Sequence, residues 1–152
     1  SKGFTVAGID VSAAAVAIAR KTLGNQATIR VADMLEYQMP ERAYDLIFSI
    51  ATMQHGTKEQ IHNVIRRTYE ALVPGGRIFI ELFGENVWAT FRDAREIERG
   101  TVVPLEGPER GIPHSFFTRS EIGPLFAPFA RVSITGGFHR FWNASWIVTA
   151  VK

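Results

Sequence analysis

Two acids and two histidines carry most of the chemistry open to this sequence. Asp10 closes the apolar run Phe4-Thr-Val-Ala-Gly-Ile-Asp, and Asp33 follows a second such run, Ala27-Thr-Ile-Arg-Val-Ala. An acid at the carboxyl end of a strand in an open parallel α/β sheet stands where ligands bind, and there it grips ribose hydroxyls. Capping the following helix is the alternative role for Asp10, and an Asx-type cap of its loop is the alternative for Asp33. His55 falls just after a third apolar run, at the same expected edge. Its ordinary pKa near neutrality suits a general base for a substrate hydroxyl or amine, and flanking the next helix is its plainer role. His114 lies in Arg110-Gly-Ile-Pro-His-Ser-Phe-Phe, a loop with a charge and aromatics, and fits a substrate pocket or ordinary packing equally. His139 and Arg140, in the last turn, could also meet substrate, whereas His62 reads as a helix surface residue. The histidines show no close metal-ligand spacing and no second set of acids, so no metal site is expected. Arg92, Arg95 and Arg99 recur at helical spacing, either as a clamp for an anion or as a solvated helix face.

The elements that must position these groups alternate. The Phe4–Asp10 run is too short and too rich in β-branched residues for a helix and predicts a strand. Ser12 then caps an alanine-rich helix over about Ala13–Leu23, stopped by Gly24-Asn25. Ala27–Ala32 predicts a second strand. Tyr44–Ile50, near-continuously apolar after its acid, predicts a strand covered on both faces. Thr57-Lys-Glu-Gln has the capping-box spacing, and Ile61, Val64, Ile65, Thr68 and Leu72 follow on one helical side. Pro74-Gly75-Gly76 breaks that helix, and Arg77–Phe83 predicts a fourth strand. From Gly84 to Pro113 the pattern degrades to a short helix plus irregular loop. Thr118-Arg-Ser-Glu gives another capping box and a helix to about Phe126. Arg131–Thr135 and Trp142–Val151 predict two strands, with Gly136-Gly137 as a turn or bulge between them, close enough to form an antiparallel pair. The whole predicts an α/β domain: a mostly parallel sheet, helices on both faces, and a C-terminal antiparallel hairpin.

Composition sets the bounds. At 152 residues the chain predicts one domain, 1–152, long enough to bury a core. A net charge of +2, without a Lys/Arg cluster, gives no support for nucleic-acid or membrane binding. The absence of cysteine excludes disulfides and thiolate metal sites and gives secretion no support. No apolar run is long enough for a membrane span, and Ser1-Lys-Gly-Phe is no signal peptide. The expected location is cytoplasmic.

Several segments taken in order resemble class I S-adenosylmethionine-dependent methyltransferases, which are Rossmann-like, and the resemblance covers nearly the whole chain. Val6-Ala-Gly-Ile-Asp-Val-Ser is similar to that family's second strand, whose terminal acid binds the ribose hydroxyls. The resemblance so assigns Asp10 to the ribose and Val11 to packing on adenine. Ala32-Asp33-Met34 resembles the segment whose acid meets the adenine amino group while the next backbone amide meets the ring. Tyr44-Asp-Leu-Ile-Phe-Ser and the following Ala-Thr-Met-Gln-His-Gly resemble the fourth strand and its loop, which implies Ser49, Ile50 and Ala51 beside the methionine moiety. Leu72-Val-Pro-Gly-Gly-Arg is similar to the turn before the fifth strand. His114-Ser-Phe-Phe-Thr resembles the lead into the final hairpin. The implied cofactor is S-adenosyl-L-methionine, and the implied acceptor is a small molecule. His55 and His114 are the candidate catalytic side chains.

One departure is large. The family's first strand and Gly-x-Gly-x-Gly loop would precede Ser1 and are missing from the sequence. Those glycines let backbone approach the cofactor, and the strand would lie between the Phe4 and Tyr44 strands. Two bare apolar edges would result, with costly unpaired backbone. The expectation is an N-terminally incomplete domain. A second copy, giving a homodimer, or a rearranged strand such as the Arg77 one, would close the gap. Two other functions stay open: a non-catalytic, self-associating fragment unable to hold the cofactor, and a nicotinamide-dependent oxidoreductase, since Asp10 would serve that ribose equally.

Overall fold

Strand β1 (Val6–Asp10) and strand β2 (Ala27–Val31) pair in parallel, with Asp10 opposite Val31. A computed structural model supplies the structure, which describes residues 3–85, 91, 93–139 and 142–152. Helix α1 (Ala13–Leu23) links the two strands, as its composition predicts. Ser12 caps it by accepting from the Ala15 N–H, and Gly24, at φ +54°, ends it. Arg20 Nε donates to the Ile29 carbonyl at 2.8 Å and ties the helix to β2. Phe4 falls before the strand and is exposed. The chain divides into two compact units, Ser1–Gln38 and Met39–Lys152.

The second unit is built on strands β3 (Tyr44–Ser49), β4 (Leu72–Phe83), β8 (Arg131–His139) and β9 (Trp142–Val151), in the spatial order β3-β4-β9-β8. Only β3–β4 is parallel; β4–β9 and β9–β8 are antiparallel. The sheets are therefore mixed rather than mostly parallel, because the C-terminal hairpin inserts β9 against β4. Both edges of β4, the Arg77 strand, are occupied, by β3 on one side and β9 on the other. Among the described residues, the outer edge of β3 carries no ladder partner.

Helix α2 (Lys58–Ala71) starts at the predicted capping box. Thr57 Oγ accepts from the Gln60 N–H, and the Gln60 side chain accepts from the Thr57 N–H at 2.8 Å. Its predicted face is the core: Ile61, Val64, Ile65 and Thr68 are buried. The helix ends at Ala71, and the Pro74-Gly75-Gly76 corner lies inside β4, where the register against β3 slips. Gly75 takes φ +79°, and a Cβ on Gly76 would stand 2.8 Å from the Val73 carbonyl oxygen. The corner is thus an irregularity within the strand rather than a gap between elements.

Between Gly84 and Pro113 the sequence suggests a short helix. Residues 86–90 and 92 of that stretch lie outside the described residues; beyond them run the antiparallel strands β5 (Ala94–Glu98) and β6 (Thr101–Pro104), with β7 (His114–Ser115) beside β6. The turn uses Gly100 at φ +75°. The anchor is tertiary: Val102 is fully buried with Phe83 and Phe116, and Phe91 and Ala94 pack on them. Arg95 lies in β5 and Arg99 in its turn, so the helical Arg face does not form. Arg92 and Arg140 lie outside the described residues. Helix α3 (Arg119–Leu125) follows its predicted capping box, Thr118 with Glu121. Of the turn or bulge read at Gly136-Gly137, the turn does not form: both glycines sit within β8, whose register against β9 slips after Gly137, and a Cβ on Gly137 would meet Ser145 Oγ at 2.6 Å. There the glycine serves close approach of β9, not chain reversal.

Candidate functional site

In the first unit, Asp10 and Asp33 share one rim. Parallel pairing puts the carboxyl ends of β1 and β2 side by side, and the Ala32 N–H donates to the Asp10 carbonyl at 3.0 Å. Asp10 Oδ1 accepts from the Ser12 N–H at 2.7 Å, and Asp33 Oδ1 accepts from the Leu35 N–H at 2.8 Å. Both local roles foreseen for these acids are therefore real. Each carboxylate is nonetheless exposed, and Val11 between Asp10 and the helix is 73% exposed. An uncovered apolar side chain beside an uncovered acid fits the flat face and hydroxyls of a nucleoside. Met34 is half-buried in the turn that follows Asp33.

In the second unit, β3 ends at Ser49, and Ile50 and Ala51 turn the chain. Ala51 holds φ +51°, a left-handed conformation that is uncommon for a residue with a Cβ. The His55 N–H closes the next turn on the Thr52 carbonyl at 3.1 Å. This loop is then stitched to the segment around β7. The Gly56 N–H donates to the Pro113 carbonyl, the Ser115 N–H to the Gln54 carbonyl, and Ser115 Oγ to the Gly56 carbonyl at 2.8 Å. His55 and His114 pair as an isolated bridge in that stitch, with ring centroids 4.7 Å apart in a T shape.

A third residue joins them. Glu109 Oε2 lies 3.2 Å from His114 Nε2, and its Oε1 lies 3.8 Å from His55 Nε2. Sequence reasoning missed Glu109, because it shares a loop with His114 at no recognised spacing. It also saw no metal-ligand set, since the backbone stitch that brings the histidines together is invisible to spacing. His114 is wholly buried, and its Nδ1 lies 2.8 Å from the Ile112 carbonyl oxygen. That oxygen only accepts, so Nδ1 carries the proton. Burial pushes the His55 imidazole below its ordinary 6.5, His114 pushes it the same way, and Glu109 opposes them. His55 is then neutral at physiological pH and holds a lone pair. Phe91 covers the other side of His114 at 4.9 Å between centroids. An open cleft of about 420 Å³ adjoins, lined by Phe91, Asp93, Glu106 and Glu109 among others. His62 is exposed on α2, as expected.

The family profile described as a methyltransferase domain matches residues 1–76, half of the chain. The chain belongs to the methyltransferase domain family. Phosphoethanolamine N-methyltransferase 2 of Caenorhabditis elegans is 34% identical over 87 residues, 55% of this chain and 20% of that protein. The chain thus spans about a fifth of the length of that curated relative. A SAM-dependent methyltransferase of Methanosarcina mazei superposes with TM-score 0.75 at 20% identity, over 99% of this chain and 83% of that one. The 1,6-didemethyltoxoflavin-N1-methyltransferase of Burkholderia thailandensis, solved with S-adenosylhomocysteine, superposes with TM-score 0.72 at 18% identity, over 99% and 62%. At such identities the neighbours establish a methyltransferase-like α/β fold. With the family match they support S-adenosylmethionine as the cofactor, which the exposed rim of Asp10, Val11 and Asp33 fits. Nothing in that match favours the nicotinamide alternative. Among the described residues, no helix is long and apolar enough to cross a membrane.

Proposed function

We propose that this chain is the catalytic domain, or part of one, of an enzyme that moves a methyl group from S-adenosylmethionine to a small-molecule acceptor. The observation that carries the reading is the common rim of Asp10 and Asp33, at the carboxyl ends of two parallel strands in a methyltransferase-family chain. When bound, the cofactor supplies a methyl on a positively charged sulfur, already a good leaving group. The chain's work is to bind, align and exclude water. Asp10 takes the ribose hydroxyls, Val11 covers the adenine, Asp33 accepts from its amino group, and the Met34 N–H donates to the ring. Within the second unit, Ser49, Ile50 and Ala51 serve the methionine part through their backbone. His55, neutral and half-buried, accepts the proton that the acceptor's hydroxyl or amine loses as its lone pair bonds to the methyl carbon. Glu109 and His114 hold that imidazole in place. The carboxylates of Asp93, Glu106 and Glu109 around the adjoining cleft favour an amine or neutral acceptor over an anionic one.

Calorimetric titration with S-adenosylhomocysteine and with NAD tests the reading. Heat with the first supports it; heat with NAD alone, or silence from both, defeats it. Silence from both would instead favour the non-catalytic fragment. The outer edge of β3, unpaired among the described residues, and the exposed Leu46 and Phe48 on that strand are the observations behind that second reading and behind closure by a second copy. Light scattering after gel filtration decides the copy number: a dimer supports closure, and a monomer at all concentrations removes it.

A further inference from the structure

We propose that His55, Glu109 and His114 form a binding site for a divalent transition-metal cation. Each offers one ligand atom, and the three atoms lie within 4.8 Å of one another. The strongest argument is the chemistry of His114. Its Nδ1–H is committed to the Ile112 carbonyl, so in the neutral ring Nε2 presents a lone pair. That lone pair stands 3.2 Å from a carboxylate oxygen, and Nε2, fully buried, makes no hydrogen bond among the described residues. The two atoms lie close together with no hydrogen bond between them, an arrangement that a shared cation would satisfy. A linear imidazolium–carboxylate hydrogen bond would also settle the charge, but the geometry is not that of one.

A metal satisfies all three atoms together. Zinc sits about 2.0–2.1 Å from imidazole nitrogen and about 2.0–2.2 Å from carboxylate oxygen, which spaces tetrahedral ligands about 3.3 Å apart. The His114–Glu109 pair is already at that spacing, whereas the His55–Glu109 separation of 3.8 Å and the set's outer limit of 4.8 Å require His55 to move in on binding. The Ile112 carbonyl plays the outer-shell part, fixing tautomer and ring orientation, that metal-binding histidines ordinarily have. Two histidines and one carboxylate leave a coordination position free, the pattern of an open zinc or non-haem iron(II) site. Phe91 packs against the His114 ring. The inference does not rest on methyl transfer, since it concerns the free chain. It does bear on it, because a metal would occupy the same His55 lone pair that proton abstraction uses.

The test is zinc titration of the whole chain at pH 7.5, in competition with a chromophoric chelator, repeated with cobalt(II) to read coordination from its visible bands. The expected result is one zinc per chain and a four-coordinate cobalt spectrum. His55→Ala and Glu109→Gln, both at partly exposed side chains, should each weaken binding at least about 10–100-fold. His62→Ala should leave it unchanged. His114→Ala should abolish it, and circular dichroism reports whether that buried change preserves the fold. No zinc binding, or binding that His55→Ala and Glu109→Gln leave intact, overturns the proposal.

Discussion

At the scale of single residues, the acids divide labour between backbone and ligand. Asp10 spends one oxygen on the Ser12 N–H, yet its carboxylate stays exposed. Asp10→Ala should weaken S-adenosylhomocysteine binding about 10- to 100-fold, the worth of a charged hydrogen bond of about 1.5–3 kcal/mol. Melting temperature should fall only slightly; unchanged affinity in calorimetry would remove the ribose role. His55 makes a pH prediction. Its folded pKa is lowered, so kcat/KM should rise with pH along an acid limb centred below 6.5. His55→Gln should lower kcat by about 10²–10⁴ and flatten that limb. The same shift bears on stability. A histidine with a depressed pKa stabilises the fold above about 6.5 and loses that contribution as pH falls through the folded value.

At the scale of elements, the helices were legible because their signals are local. Ser12, Thr57 and Thr118 each cap where the sequence placed a cap, and the α2 face is the buried one. The hairpin of β5 and β6 was not legible. Its first strand is charged, and its order comes from Val102 meeting Phe83 and Phe116, contacts distant in sequence. The glycines of β8 read equally as turn or bulge, and only β9 in place shows the register slip and the close packing they serve. The two acids could be read from strand ends, whereas Glu109 could not, because only the stitched loop brings it to the histidines. Two measurements follow. Gly137→Ala should destabilise by about 1–3 kcal/mol in chemical denaturation, since the methyl would strike Ser145 Oγ and Ile147. Glu121 joins α3 to α2 through Lys58 at 2.5 Å. Burial alone would raise its pKa, but Lys58 and Thr118 together hold it below the ordinary 4.5. Its stabilisation is present above that value and lost as pH falls through the folded one. Glu121→Gln should therefore cost up to about 1 kcal/mol near neutrality and flatten the acid-unfolding curve below pH 4.5.

For the molecule as a whole, the fold carries a family's scaffold in two units whose strands are only partly paired. Both β1 and β3 expose apolar side chains, Val6 on the first and Leu46 and Phe48 on the second. The segment Tyr44-Asp-Leu-Ile-Phe-Ser has a single charge, no proline and strong strand propensity, the composition of steric-zipper peptides. Concentrated solutions should therefore seed cross-β fibrils from this stretch, after a lag visible by thioflavin fluorescence. Phe48→Lys should lengthen the lag by placing a gatekeeping charge on the template.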